Sequence, residues 1–307
     1  MAFENYIATE IAIDAADGLI TRREALRRLA LMGLSAPAAV TLLAACGGDE
    51  EDAGAPDGPP AETQNTAASS TTTTTAAAGD EGDGELITFK GPRVELTGSF
   101  AAADSAKGTL LIIHENRGLT PHFVALPNRL AEAGYTALAL DLLSEEGGTA
   151  TLADDGKAQA ALSAAPKERL VADARAALDE LERREPGKKL GMMGFCFGGG
   201  MTWSVLAAPE PRLAAAVPFY GPLPEGADFT GAKAAVLAIY GGLDGARVNG
   251  TRDAATAALD KAGLTHELKT YEGADHAFFN DTGERYNKEA ADQAYTALLD
   301  WFGRYLA

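Results

Sequence analysis

Three residues whose side chains could act together in catalysis lie far apart in the sequence, namely Cys196, Asp244 and His276. Cys196 stands in "GFCFGG", at the end of an apolar run, with a glycine two positions before it and another two positions after it. Glycines at those positions favour a sharp strand-to-helix turn that projects the central side chain near a helix N-terminus. That location favours the thiolate, which is the nucleophilic form. The alternative is that Cys196 is a small buried apolar residue.

Asp244 and His276 each follow a predicted strand. Asp244 lies in "GGLDGARV" after the run "AVLAIY", and His276 lies in "GADHAFF" after the next strand. The chain order of nucleophile, acid and histidine is that of α/β hydrolases. His276 would be the general base and Asp244 would orient its imidazole. Asp275 is the alternative acid, although neighbours in sequence rarely point the same way.

The elements that would position these residues alternate between apolar runs and amphipathic segments. Strands are predicted at 86–90, 94–101, 109–114, 135–140, 189–195, 213–219, 235–240 and 266–272. Helices are predicted from Pro121 to just before Gly134 and at 166–184, 198–208, 251–263 and 286–305. The alternation predicts an α/β fold with a mostly parallel sheet and helices on both faces. Site residues should gather at the carboxyl ends of the strands, under a loop or lid formed by 142–165.

The first 45 residues resemble an export signal. The signal-like part begins at Arg22 and Arg23. An uncharged run follows from residue 29 to residue 45, and "LLAAC" ends at Cys46. This resembles a bacterial twin-arginine signal joined to a lipoprotein box, and the resemblance implies that Cys46 is lipidated and becomes the mature N-terminus. The position two after Arg23 holds Ala25, where such signals have a bulky apolar residue. The alternative is an ordinary amphipathic N-terminal helix.

Residues 46–84 are predicted to be a disordered tether. From 49 to 84 there are nine acidic residues, no basic residue and scarcely any large apolar side chain. Such a segment cannot bury enough apolar surface to offset the entropy lost on ordering. The export signal (1–45), the tether (46–84) and a catalytic domain (85–307) are therefore the predicted divisions of the chain.

The composition of residues 85–307 excludes several classes of function. The segment holds 22 basic and 30 acidic residues, without a basic cluster interleaved with aromatic residues, so no nucleic-acid partner is expected. Its single cysteine excludes an internal disulfide. Its four histidines have no metal-ligand spacing, so no metal or other cofactor is predicted. We expect a monomer.

The catalytic domain resembles the dienelactone hydrolase family. The resemblance rests on "HENRGL" (114–119), "GFCFGG" (194–199), "YGGLDGARV" (240–248) and "ADHAFFND" (274–281). It implies the α/β-hydrolase fold and a cysteine, histidine and aspartate triad that opens lactones and cleaves esters. It further implies that Glu115 lies near the resting thiol and helps to remove its proton. The oxyanion would be bound by the backbone N–H groups of Asn116 and Phe197.

The resemblance is weaker for substrate recognition. The family places an arginine four residues after the histidine to hold a substrate carboxylate, and this chain has Asn280 there. Lys157 is a loose counterpart of a second basic anchor, and Phe278 is a further candidate for substrate contact. A dicarboxylic lactone, a monoanionic ester and a neutral ester all stay open as substrates.

The sequence therefore predicts an exported hydrolase, lipid-anchored to the bacterial cell envelope, that acts on a small-molecule ester or lactone through an acyl-thioenzyme on Cys196. A thiol acyltransferase on the same fold is the first alternative, and it would be distinguished by product analysis with an added acceptor. A surface binding module that has lost activity is the second.

Overall fold

The computed structural model describes residues 3–16, 18–46, 84–152, 154–208 and 210–307. The strands in these ranges are β1 (Glu85–Lys90), β2 (Glu95–Ala101), β3 (Thr109–Ile113), β4 (Thr136–Leu140), β5 (Leu190–Phe195), β6 (Leu213–Phe219), β7 (Ala235–Gly241) and β8 (His266–Tyr271). The α-helices are α1 (Phe3–Ala16), α2 (Arg22–Leu31), α3 (Ala36–Cys46), α4 (Pro121–Glu132), α5 (Asp155–Ala164), α6 (Lys167–Arg184), α7 (Phe197–Ala207), α8 (Ala246–Asn249), α9 (Arg252–Ala262) and α10 (Lys288–Tyr305).

The strands form one sheet in the order β1-β2-β4-β3-β5-β6-β7-β8. β2 pairs antiparallel with β1 and β4, and the pairs from β4 to β8 are parallel. Helices α6 and α7 contact each other on one face. On the other face the Tyr295 hydroxyl of α10 donates a hydrogen bond to the Arg129 carbonyl of α4. This is the α/β-hydrolase fold, so the predicted fold class is confirmed.

The predicted strands and the five predicted helices are confirmed to within two residues at each end. The apolar face of α6, at Leu170, Ala174, Ala177, Leu178 and Leu181, is fully buried. Helix α4 begins at Pro121, and Gly134 with φ of 93° follows its end. Local patterns sufficed here because the central strands β3, β4, β5 and β7 are buried throughout, as continuous apolar runs indicate, and α6 buries one apolar face.

The segment 142–165 is more ordered than the predicted loop. It contains the ten-residue helix α5, which begins after Asp154, whose side chain accepts a hydrogen bond from the Gly156 N–H. Its sequence has almost no amphipathic pattern, and α5 packs against α1 and α2. Because its partners lie far away in the sequence, local periodicity did not reveal this helix.

The segment predicted as an export signal folds into α1, α2 and α3, which pack on one another, and α1 and α2 also pack on α5. Helix α2 begins after Thr21, whose hydroxyl caps the Glu24 N–H, and Arg22 and Arg23 are exposed in its first turn. Helix α3 ends at Cys46. Within the described ranges no helix is long and apolar enough to span a membrane. The tether prediction falls on residues that lie almost entirely outside the described ranges.

The turn after β5 generates a stability prediction for Gly198. A Cβ added there would lie 2.2 Å from the Ile113 carbonyl oxygen and 2.6 Å from the His114 carbonyl oxygen, both backbone atoms. We expect Gly198→Ala to reduce the free energy of unfolding by several kcal/mol, on the order of the largest single-site effects. Gly245→Ala is the matched control, because Gly245 has φ of −63° and open space around it. Chemical denaturation of both variants checks this, and equal stabilities would contradict it.

Candidate active site

The parallel strands bring the predicted site residues to one edge of the sheet. Residues Ile113 of β3 and Gly194 of β5 are paired in register, as are Phe195 of β5 and Phe219 of β6. The segments that follow these strands therefore start at the same edge. Glu115, Cys196, Asp244 and His276 each come within five residues of a strand's carboxyl end, after β3, β5, β7 and β8. This is the edge at which open α/β sheets bind ligands.

Cys196 forms a strained turn between β5 and α7. Its φ is 56°, a left-handed value that is rare for a residue with a side chain, and its N–H donates to the Phe219 carbonyl at 3.1 Å. A Cβ at Gly194 would lie 2.1 Å from the Gly198 carbonyl oxygen, so both glycines flanking the cysteine are required sterically. The cysteine is 3% exposed. The structure thus has a sharp strand-to-helix turn at Cys196, as its flanking glycines predicted.

His276 is oriented by Asp244 and not by Asp275. Its Nδ1 lies 2.8 Å from Asp244 Oδ2. Asp275 Oδ1 instead accepts a hydrogen bond of 2.6 Å from the backbone N–H of His276. The Asn249 amide holds the Asp244 loop by donating to the carbonyls of Gly241 and Asp244. The geometry therefore favours Asp244 over the alternative acid.

The charges around His276 favour its protonated form. Burial by itself lowers the pKa of the imidazole, but the charge of Asp244 and the charge that Cys196 carries when ionised outweigh burial and raise the pKa to about 10. A ring nitrogen of His276 and the Cys196 sulfur lie within 4.8 Å of each other. A charged imidazole at this place can stabilise a thiolate and donate a proton to a leaving group.

The carboxylate found beside the sulfur belongs to a residue that the sequence analysis did not single out. Glu10 of α1 has its Oε2 atom 4.0 Å from Cys196 Sγ and 3.2 Å from His276 Nε2. Its Oε1 atom forms an ion pair with Arg247. The ligand atoms of Glu10, Cys196 and His276 lie within 4.8 Å of one another, close enough to surround a metal ion. The sequence offered no sign of this cluster, since Glu10 is 186 residues from Cys196.

Glu115, the carboxylate predicted near the thiol, is held by two side chains. Tyr220 donates its hydroxyl to Glu115 Oε1 at 3.2 Å, and Asn280 donates its amide to Oε2 at 2.9 Å. Burial, followed by the charges of Glu115 and Cys196, raises the pKa of Tyr220 well above its usual value, so the hydroxyl stays protonated. The side-chain carbonyl oxygen of Asn280 accepts hydrogen bonds from the backbone N–H and the hydroxyl of Thr282. Asn280, predicted to contact substrate, is therefore engaged with Glu115.

The remaining predicted residues are the oxyanion donors Asn116 and Phe197 and the substrate contacts Phe278 and Lys157. Phe197 is the first residue of α7, and Asn116 is buried three residues after the end of β3. Phe278 is fully buried with its ring 5.6 Å from that of Tyr220. Lys157 is exposed on α5.

Tyr220, Arg247 and Glu10 are the residues that sequence reasoning missed. Tyr220 directly follows β6 and has φ of 35°, so its position after a predicted strand was a usable signal. Arg247 lies three residues after Asp244 inside the motif "YGGLDGARV", so its position beside a predicted site residue was a usable signal. For Glu10 no local signal exists, because its role depends on where α1 docks.

Comparison with known proteins places this chain in a family. The family model of the dienelactone hydrolase family matches residues 96–306. The chain belongs to this family. A candidate carboxymethylenebutenolidase of Methylorubrum extorquens is 33% identical over 215 residues, which is 64% of this chain and 72% of that protein. A similar candidate from Salmonella typhimurium is 31% identical over 220 residues, covering 66% of this chain and 80% of the relative.

Solved structures agree with this assignment. The crystal structure of a candidate dienelactone hydrolase from Klebsiella pneumoniae has a TM-score of 0.64 and 28% identity, covering 72% of this chain and 98% of that one. A dienelactone hydrolase from Anabaena variabilis has a TM-score of 0.59 at 22% identity, covering 73% and 98%, and shows the fold alone. The chain is therefore a dienelactone hydrolase-like hydrolase.

The raised pKa of His276 predicts how the stability of this hydrolase depends on pH. Because the folded pKa of about 10 exceeds the ordinary value of 6.5, the stabilisation is complete below pH 6.5 and is lost as the pH rises through 10. We expect the free energy of unfolding to fall more steeply over this window in the wild type than in Asp244→Asn, by at most about 1.4 kcal/mol per pH unit.

Asp275→Asn is the matched control, because Asp275 bonds the backbone of His276 and leaves Nδ1 to Asp244. It should keep the wild-type slope in denaturant titrations at pH 6.5, 8 and 10. Parallel curves for wild type and Asp244→Asn would refute this electrostatic assignment.

Proposed function

We propose that this hydrolase cleaves a carboxylic ester or lactone by attack of the Cys196 sulfur on the carbonyl carbon. The observation that carries the proposal is the position of His276, with Asp244 on Nδ1 and the sulfur within 4.8 Å of the ring. The order Cys196, Asp244, His276 along the carboxyl edge of the sheet supports it, as does membership of the dienelactone hydrolase family.

The first half-reaction makes an acyl-thioenzyme. The thiol proton of Cys196 passes to Glu115, and the resulting thiolate adds to the carbonyl carbon. The oxyanion that forms is stabilised by the N–H groups of Asn116 and Phe197, which need to be fixed donors where charge develops. The tetrahedral intermediate collapses, the bond to the leaving oxygen breaks, and the imidazolium of His276 gives its proton to that oxygen. The products of this half are an alcohol and the thioester.

The second half-reaction consumes water. Neutral His276 takes a proton from a water molecule, and the hydroxide adds to the thioester carbonyl. The carbon–sulfur bond breaks, the carboxylic acid leaves, and Glu115 returns its proton to the sulfur. Asp244 stabilises the imidazolium in both halves and is not itself protonated. Tyr220 and Asn280 keep the Glu115 carboxylate in place by donating to its two oxygens.

The substrate proposed is a small ester or lactone. The relatives named as candidate carboxymethylenebutenolidases make an unsaturated lactone a suitable first compound to assay. Asn280 binds Glu115, so it is a less suitable substrate contact than the sequence suggested. Phe278 and Lys157 stay predictions as contacts, with Phe278 beneath Tyr220 and Lys157 exposed.

Removing either Cys196 or His276 tests the mechanism. We expect Cys196→Ala and His276→Ala each to lower kcat for an aryl ester by about 10³-fold or more. The double variant should be scarcely worse, because triad members act as a unit. These losses are measured in full chains that carry Glu10→Ala, because Glu10 lies against the sulfur, and the same variants are also assayed without that change.

Cys46→Ser is the control for the loss of a thiol elsewhere and should keep wild-type turnover. Release of free acid without any added amine or alcohol acceptor would separate hydrolysis from acyl transfer. A folded Cys196→Ala protein with full activity in both backgrounds would end the proposal.

We also propose that the chain is exported through the twin-arginine route and anchored by a lipid on Cys46. Support comes from the exposed Arg22 and Arg23 at the start of α2 and from the apolar residues Leu31 and Val40, which are 44% and 45% exposed. Twin-arginine export carries folded proteins, which is compatible with a precursor whose α1–α3 are docked on the hydrolase.

Anchoring predicts a change in partitioning. In a bacterial host that performs both steps, the full-length protein should enter the detergent phase, and Cys46→Ser should stay in the aqueous phase or remain an uncleaved precursor. Phase separation followed by mass determination of the N-terminus measures this. Wild-type protein that is aqueous and retains Met1 would contradict both export and lipidation.

A further inference from the structure

The catalytic cysteine and histidine are closed off by α1. Glu10 is 4% exposed, Cys196 3% and His276 4%, so an ester cannot reach the sulfur while α1 is docked. Ile7 and Ile11 of the same helix are fully buried. One turn further along α1, Asp14 Oδ1 lies 3.1 Å from the guanidinium of Arg285. Helix α1 is thus held by apolar burial and by two acidic residues spaced four apart on one face.

The Glu10 carboxylate lies where a carboxylate ligand of the site would bind. One oxygen meets Arg247, and the other lies between His276 Nε2 at 3.2 Å and Cys196 Sγ at 4.0 Å. A carboxylic acid released from a thioester on Cys196 would leave its carboxylate at this same place. The group that α1 presents is therefore of the chemical class that ester hydrolysis produces.

Arg247 has the features of a binding residue for such a group. It lies in α8, three residues beyond Asp244, and its side chain is 9% exposed. A guanidinium matches the planar geometry of a carboxylate better than an ammonium does. A positive charge beside Glu10 also disfavours a metal ion at the cluster of Glu10, Cys196 and His276.

We propose that Arg247 and His276 form a carboxylate-binding site beside Cys196, and that Glu10 occupies this site in the full-length chain as an intramolecular competitor. Ligands of the open site are carboxylate-bearing substrates or the carboxylate products. The proposal goes beyond the hydrolysis proposed above and does not require it, because a carboxylate site beside a reactive thiol can be measured without turnover. Removal of residues 1–45 at Cys46 would take Glu10 away and open the site.

Alkylation of Cys196 with two matched reagents tests the site. Iodoacetate carries a carboxylate and iodoacetamide does not, and in both reactions the sulfur displaces iodide. All variants carry Cys46→Ser, so that Cys196 is the only thiol. Glu10→Ala should raise the rate of alkylation by both reagents at least tenfold over the parent, because it weakens the docking of α1. Glu289→Gln, an exposed carboxylate on α10, is the control for charge and should leave both rates unchanged.

The ratio of the two rate constants reports on Arg247. In the Glu10→Ala background the iodoacetate to iodoacetamide ratio should fall at least tenfold on Arg247→Gln and should be largely kept by Arg247→Lys. Circular dichroism shows whether Arg247→Gln folds. If it does not, the ratio is measured in Glu10→Ala at increasing butyrate concentrations. Butyrate should occupy the carboxylate site and lower the rate of alkylation by iodoacetate more than tenfold. Alkylation rates that do not change on Glu10→Ala would overturn the competitor role. A ratio insensitive to Arg247→Gln, or to butyrate, would overturn the carboxylate site. Loss of ester turnover alone would bear only on the hydrolysis.

Discussion

The close backbone crossing at the Cys196 turn is the constraint on which the site depends. Between Gly194 and Gly198 the chain reverses so tightly that a single Cβ would meet a carbonyl at little over 2 Å. The same crossing brings the end of β3 against the start of α7, and the Cys196 N–H ties the turn to Phe219. The backbone at this crossing therefore fixes the positions of the Cys196 sulfur, the candidate oxyanion donors and the end of β6 relative to one another. Asp244 and His276, which follow β7 and β8, approach this fixed region from the same edge of the sheet.

The backbone at this edge of the sheet is strained, and the packing of the core beneath it maintains the strained conformation. Among the described residues the non-glycine residues with positive φ are Cys196, Tyr220 and Ala277, all at this edge of the sheet. Phe195, which precedes the turn, stacks on Phe219 with ring centres 4.6 Å apart and packs 5.2 Å from Phe279. Such backbone conformations persist only where surrounding packing over-determines them. The aromatic layer under the turn supplies that packing.

The sequence predicted the sheet and the relation between Asp244 and His276 because both follow from local signals. Apolar runs mark buried parallel strands, glycines mark the turn, and parallel register then brings the residues after the strands together. The helix α5 and the contacts of Glu10 could not be predicted in this way. Each depends on the surface that a distant segment covers, and the sequence of α1 or α5 does not indicate which segment that is. Arg247 is an intermediate case. It lies inside a motif that contains Asp244, but nothing in the sequence indicated that its guanidinium pairs with a carboxylate.

The export proposed above and the docking of α1 place two different requirements on the N-terminal segment. As the proposed export signal it would present Arg22, Arg23 and an apolar run, whereas in the folded chain it buries Ile7, Ile11 and Glu10. The structure separates these requirements by position: α1 carries the buried contacts, whereas the first turn of α2 and much of α3 are exposed. A single cut before Cys46 would then remove the charge beside the sulfur and create the anchored N-terminus together. If the proposed export and cleavage take place, the hydrolase would stay closed until this cut separates α1 from the catalytic domain.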